Sequence, residues 1–273
     1  MVEPMPLLAL LLALASPLFA PLFLRELPRQ QGGDAGARAE LQSALEKEGI
    51  GLDLERGIVS VPAKVLVREE LLEYLLVGPN GATHESLFLT ESRPSLVNAA
   101  LLLLGVEPGR NAHWEEREGG DSQGPLRKRA DPPQGDGFLL YAGWREAGES
   151  FFFRVEDLLA NYETGRSLRR HRWVFLGSRF ATLHEGGPEV FMADVEGNLI
   201  NLSFFFQGNT LLTAALEECV EQTIWAANAW LVPPRGQPVL LFFSRAPIAG
   251  LDPVLEARLP EVKPEPPSTE GER

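Results

Sequence analysis

Between Leu52 and Phe243 the apolar residues come in short runs cut by turn chemistry, and this limits the chain more than any single motif. Runs such as Phe138–Trp144, Phe151–Val155, Trp173–Leu176, Val190–Asp194, Asn198–Phe206, Thr223–Asn228 and Val239–Phe243 have strand length. Turn signals stand between elements at Arg56-Gly57, Gly78-Pro79-Asn80-Gly81, Glu196-Gly197 and Pro233-Pro234-Arg235-Gly236. Closely spaced short strands of this kind predict an α+β domain that is predominantly antiparallel β. One stretch breaks the pattern. Pro94 suits a first helical turn, Ser92 or Ser95 is placed to cap it, a Leu-rich run follows, and Gly105 suits the C-terminal cap. The segment is apolar almost all round and too short for a bilayer, so it is expected as one buried helix on the sheet. Short additional helical turns are expected, for example at Glu156–Asn161.

The stretch GPNGATHESLFLT, residues 78–90, carries the most chemistry. Leu71–Val77 and Ala82–Thr90 flank strong turn residues, which predicts a β-hairpin over 71–90. On a regular strand His84 and Ser86 share one face and Glu85 takes the other. His84 and Ser86 then stand about 7 Å apart at Cα, loose for nucleophile and base, and Glu85 points away from both. A local triad is therefore not expected, and no G-x-S-x-G elbow exists elsewhere. His84, Glu85 and Ser86 are read instead as hydrogen-bonding residues at a ligand or partner surface. The alternative is a serine-type hydrolase using Ser86 or Ser178 with His84.

Other chemistry is sparse. The 273 residues carry a formal net charge of −13, so phosphate backbones are repelled and nucleic acid is not an expected partner. Cys219 is the sole cysteine, which excludes an internal disulfide and a cysteine-built zinc or iron–sulfur centre. Glu217 and Glu218 precede it and disfavour a thiolate. Four histidines, His84, His113, His171 and His184, have no second histidine at i+2 or i+4, so no metal and no cofactor is expected. A metal site would require at least three histidines and carboxylates gathered from distant parts of the chain. Arg166, Arg169, Arg170 and Arg172 surround His171 and read as a solvated loop rather than an anion or lipid-headgroup site. Asn201-Leu202-Ser203 matches a glycosylation sequon but falls in an expected strand.

Residues 6–24, PLLALLLALASPLFAPLFL, are uncharged and apolar. Residues 1–26 are thus expected to be a signal peptide or membrane anchor, making the protein exported or anchored to the membrane by its N-terminus. Residues 27–44 read as a flexible linker, 45–248 as the folded domain with an exposed excursion at 106–136, and 249–273 as a disordered Pro- and Glu-rich tail.

Four segments resemble the YdjY-type domain of bacterial envelope proteins. They are EYLLVGPNGATHESLFLTESRPSLVNAALLLLGVEPG (73–109), ETGRSLRRHRWVFLGSRF (163–180), VFMADVEGNLINLSFF (190–205) and PPRGQPVLLFF (233–243). The resemblance implies an exported or anchored domain with no established activity and no catalytic residues to carry over. Some relatives add a ferredoxin-like cysteine cluster, which this chain lacks. His84-Glu85-Ser86 and Gly177-Ser178 fall on the family's recurrent positions. The expected role is a non-catalytic envelope module that binds a protein or small ligand.

Overall fold

The computed structural model describes residues 33–117 and 127–263. Expectations for residues 1–32, 118–126 and 264–273 lie outside the described residues. Helix α1 (Gly33–Lys47) leads into strands β1 (Gly51–Asp53), β2 (Ile58–Val65), β3 (Tyr74–Val77) and β4 (Ser86–Leu89). Helix α2 (Pro94–Leu103) follows, then β5 (His113–Arg117), β6 (Arg127–Asp131), β7 (Gly137–Glu146), β8 (Glu149–Arg154) and β9 (Leu159–Asn161). Next come β10 (Trp173–Phe175), β11 (Phe180–Thr182), β12 (Glu189–Phe191), helix α3 (Met192–Glu196), β13 (Asn198–Asn201) and β14 (Leu212–Thr213). Strands β15 (Trp225–Ala227) and β16 (Pro238–Ser244), helix α4 (Pro253–Glu256) and β17 (Glu261–Val262) complete the order.

The main sheet runs β2-β16-β7-β10-β14-β13-β3-β4, and β4 pairs back onto β2 at Lys64 and Val65. The sheet is therefore closed into a barrel, mostly antiparallel, with parallel pairs at β13–β14 and β3–β4. Closure removes the open edges that would otherwise invite pairing with another chain. The longest strands carry the clearest pleat. In β16, Val239, Leu241 and Phe243 face the main core, whereas Leu240 and Phe242 face a second apolar cluster outside the barrel wall. In β7, Phe138, Leu140 and Ala142 point to the core, and Leu139 and Tyr141 to the second cluster. Both faces are dry, which is why these strands read as continuous apolar runs rather than alternating ones.

The outer cluster corrects the reading of residues 249–273 as a disordered tail over its described part, 249–263. Leu255 and Leu259 are buried against Ile58, Leu139, Leu240 and Phe242, and β17 adds to β7 in parallel. Asp252 caps α4 by accepting from the Val254 and Leu255 amides at 2.8 and 3.0 Å. Composition alone pointed to disorder, but four spaced aliphatics, Ile248, Leu251, Leu255 and Leu259, cover a sheet face that would otherwise be wet. The linker reading of 27–44 is corrected likewise over its described part. Residues 33–47 are helical, because the run AELQSALEK (39–47) favours helix and Leu41, Ala44 and Leu45 pack on the core. The excursion at 106–136 holds an antiparallel ladder, β5 on β6.

Helix α2 begins at Pro94, as its sequence predicts, and Gly105 adopts a left-handed φ of +73° behind it. Seven of its residues are buried, while Leu103 is exposed. Its N-terminal amides are not capped by Ser92 or Ser95. The Asp194 carboxylate of α3 accepts from the Ser95 amide at 2.7 Å, and Glu48 accepts from the Arg93 amide at 2.7 Å. Charged caps from distant residues do the work that local serines were expected to do.

Candidate functional site

The strand-pairing register overturns the hairpin expected over 71–90. Strands β3 and β4 are parallel, with Tyr74 opposite Ser86 and Leu76 opposite Phe88. The chain does reverse at residues 78–81, but Thr83–Glu85 forms a 3₁₀ turn that reverses it again. Parallel neighbours ordinarily need a long crossover. Here both strands are four residues long, so the short return along 78–85 suffices.

The pleat argument therefore fails for His84, Glu85 and Ser86, because the first two lie on the 3₁₀ turn. His84 Nε2 sits 3.7 Å from Glu85 Oε2 rather than on the opposite face, and the imidazole is 82% exposed. Ser86, in contrast, is fully buried at the start of β4, and its hydroxyl donates to the Ala82 carbonyl at 2.6 Å. An exposed imidazole and a buried, occupied hydroxyl do not make a nucleophile and its base.

Gly177 and Ser178 take consecutive left-handed conformations, φ +71° and +58°. For serine this costs about 1–2 kcal/mol. Two bonds hold it there: Ser178 Oγ donates to the Asn209 carbonyl at 2.7 Å and accepts from the Ala193 amide at 3.1 Å. Ser178 is thus also spent on backbone.

The two motifs meet at one element. Ser178 grips Ala193 near the start of α3, and the 78–82 turn grips the end of the same helix. The Gly78 amide donates to the Gly197 carbonyl at 2.6 Å, and the Ala82 amide to Asn198 Oδ1 at 3.0 Å. Because α3 also caps α2 through Asp194, this short helix ties three parts of the fold together. The close approach needs glycine on both sides. Gly197 has φ +70°, and a Cβ there would lie 2.6 Å from the Gly81 nitrogen. Gly197→Ala is expected to lower unfolding free energy by about 2–4 kcal/mol, the sum of left-handed strain and overpacking, measured by urea denaturation.

Outside these bonds the local surface is acidic. Burial first, and then Glu85, raise the Glu73 carboxyl above its ordinary range, while His84 pulls the other way. Burial raises the Tyr74 phenol, followed by Glu85, Glu73 and Glu196. Tyr74 is locked by stacking on Phe205 at 4.7 Å. Glu85, Glu73 and Glu196 thus all disfavour ionisation of the Tyr74 phenol. Two open clefts occur elsewhere, one lined by Tyr141, Phe152, Arg154 and Leu251, the other by Leu54, Leu103 and Arg245, and neither includes residues 82–86 or 177–178.

Three of the four clustered arginines are engaged by other groups of the protein. Arg169 forks onto Glu218, Arg170 onto Asp157, and Arg172 donates to the Gly137 and Arg245 carbonyls. His171, in their midst, is buried rather than superficial. Burial holds its imidazole below the ordinary histidine value, and Glu156 only partly offsets this. Burial, then Glu218, pushes the Cys219 thiol up to about 12, so it is inert. Asn201 is buried in β13, which removes the sequon from solvent.

Sequence spacing missed two groupings. One is the buried carboxylate Glu156, bonded to Arg154 at 2.6 Å and to Trp173 Nε1 at 3.1 Å. The other meets the three-ligand condition for a metal: His113, Glu115 and Asp131 converge within 4.8 Å. Glu115 stands at i+2 from His113, but Asp131 joins them only through the β5–β6 register. No helix among the described residues is long and apolar enough to cross a membrane.

A closed, mostly antiparallel β-barrel whose candidate serines are bound into its backbone defines a β-barrel domain without an evident Ser–His dyad. The YdjY domain matches residues 50–244, well over half of the 273-residue chain, and the chain belongs to that family. No curated protein and no solved structure matches it.

Proposed function

We propose that the chain is an exported or membrane-anchored envelope module that binds a cationic protein segment or small ligand and catalyses no reaction. The observation that carries this reading is the fate of the hydroxyls at 86 and 178. Both are engaged by backbone groups, whereas Glu73 and Glu85 lie beside an exposed His84 and, with Glu196, act on the neighbouring Tyr74 phenol. An anionic rim steers positively charged partners and repels acidic ones. The uncharged run of residues 6–24 supports delivery to the envelope.

The catalytic alternative and the binding reading separate cleanly. Incubation with a serine-reactive fluorophosphonate is expected to leave Ser86 and Ser178 unlabelled. Labelling at either, or an esterase activity lost in Ser86→Ala or Ser178→Ala, would replace the proposal with the hydrolase. A lysine-rich peptide is expected to bind in preference to a glutamate-rich one. Glu73→Gln with Glu85→Gln should weaken that binding by roughly two- to fivefold per carboxylate, the size of an exposed ion pair. Equal binding of both peptides removes the cationic partner from the proposal.

A further inference from the structure

We infer that His113, Glu115 and Asp131 form a divalent metal site, with zinc the ion it suits best. Strand alternation puts His113 and Glu115 on one face of β5, two residues apart. The antiparallel register sets Asp131 of β6 directly opposite His113. The ring's Nε2 lies 3.5 Å from Glu115 Oε1 and 4.0 Å from Asp131 Oδ2. A zinc ion held about 2.0–2.2 Å from nitrogen and oxygen ligands spaces those ligands ~3.4 Å apart. Closing the three groups onto an ion therefore asks for side-chain movements of a fraction of an ångström to about one. Nε2 is thus the ring nitrogen turned to the carboxylates, while Nδ1 is buried without a partner among the described residues.

The ligand chemistry agrees. One imidazole and two carboxylates offer one nitrogen and two oxygen ligand atoms, a mixed set of the kind zinc takes. Three protein ligands with an open fourth position match zinc, whereas calcium wants six to eight oxygens and magnesium keeps a largely hydrated octahedron. Partial exposure leaves that fourth position to water: the side chains of His113, Glu115 and Asp131 are 38, 43 and 17% exposed.

The ligands also sit at the root of the ladder, where it is fastened to the barrel. Arg110 and Gln134 exchange backbone bonds just outside it, at 2.7 and 2.9 Å. Asn111 donates to the Phe205 carbonyl at 2.7 Å, Trp114 stacks on Phe206 at 5.1 Å, and Arg129 pairs with Glu217. A site held this way is largely formed before the ion arrives, which lowers the ordering cost of binding. Phe205 also stacks on Tyr74, so a metal at this root braces the segment that carries the acidic rim.

The test is calorimetric titration of the full chain, stripped with chelator, with zinc chloride. One saturable equivalent is expected, together with a rise in melting temperature. His113→Gln and Asp131→Asn should each weaken binding at least about tenfold, the loss that even an outer-shell partner produces. His184→Gln, an exposed histidine elsewhere, should leave it unchanged. Should His113→Gln fail to fold, Glu115→Gln decides, because its side chain is the most exposed of the three. Absence of saturable binding, retention of affinity in the ligand variants, or displacement of zinc by tenfold excess magnesium would each overturn the assignment.

Discussion

Glu156→Ala is expected to lower unfolding free energy by about 3–5 kcal/mol, the effect of breaking a buried ion pair from one side. Glu156 is completely buried, and its Oε1 accepts from Arg154 at 2.6 Å, from Trp173 Nε1 at 3.1 Å and, at 3.4 Å, from the His171 amide. Arg154 itself is only 12% exposed and lies over the Tyr141 ring at 5.3 Å. Removing the carboxylate leaves that guanidinium with just the Leu140 and His171 carbonyls for partners. Neutral His171 cannot compensate, since burial already disfavours its charged form and a second cation would repel Arg154. A double variant with Arg154→Met and Glu156→Leu should recover much of the loss, because replacing both charges by apolar groups removes the desolvation penalty as well as the attraction. Urea denaturation of the two single variants and the double variant measures the coupling. Additive losses would mean that the pair is not energetically linked.

Glu156 shows where sequence reasoning stops. Its neighbours in the chain, Arg154 and Asp157, look like an ordinary charged turn. Nothing in their spacing says that the turn is tucked under Trp173. Elements long enough to carry a full apolar pattern were legible: β7 and β16 lie where continuous apolar runs and flanking turns put them, and α2 starts and ends at its Pro and Gly signals. Strands of two or three residues, such as β14 and β11, hold too little sequence for any period to register. The 78–81 turn illustrates a different limit. Its Pro, Asn and Gly do reverse the chain, but turn chemistry fixes only the reversal and not the direction of the strand that follows. That direction was set by a 3₁₀ turn at Thr83–Glu85, which also moved Glu85 next to His84 and undid the argument from pleat. For the candidate site, sequence supplied the residues 84–86 and 177–178 but not their use. The 78–82 turn reaches the end of α3 through contacts over 100 residues apart in the chain, such as Ala82 to Asn198, whereas Ser178 reaches Ala193 across 15 residues. His113 and Glu115 were visible at i+2, yet their third partner needed the β5–β6 register.

Ending the chain at residue 248 is expected to cost about 5 kcal/mol or more, because two nearly buried leucines each contribute roughly 1.5–3 kcal/mol and the surface they cover becomes wet. Leu255 and Leu259 are 3% and 7% exposed, and they pack on Ile58, Leu139, Leu240 and Phe242 from β2, β7 and β16. Those three strands are the most extensively paired part of the barrel wall, with seven β16–β2 partners and five β16–β7 partners in register. The truncation also removes the β17 pairing with Arg145 and Glu146 of β7. A loss of this size approaches the whole stability of many single domains, about 5–15 kcal/mol, so the truncated chain should be largely unfolded or aggregated. Point variants grade the effect without deleting backbone pairing: Leu255→Ala and Leu259→Ala should each cost about 2–4 kcal/mol. If the chain ending at residue 248 unfolded at the same urea midpoint and with the same slope as the full chain, the outer cluster would contribute nothing, and β16 would stand as a strand dry on one face only.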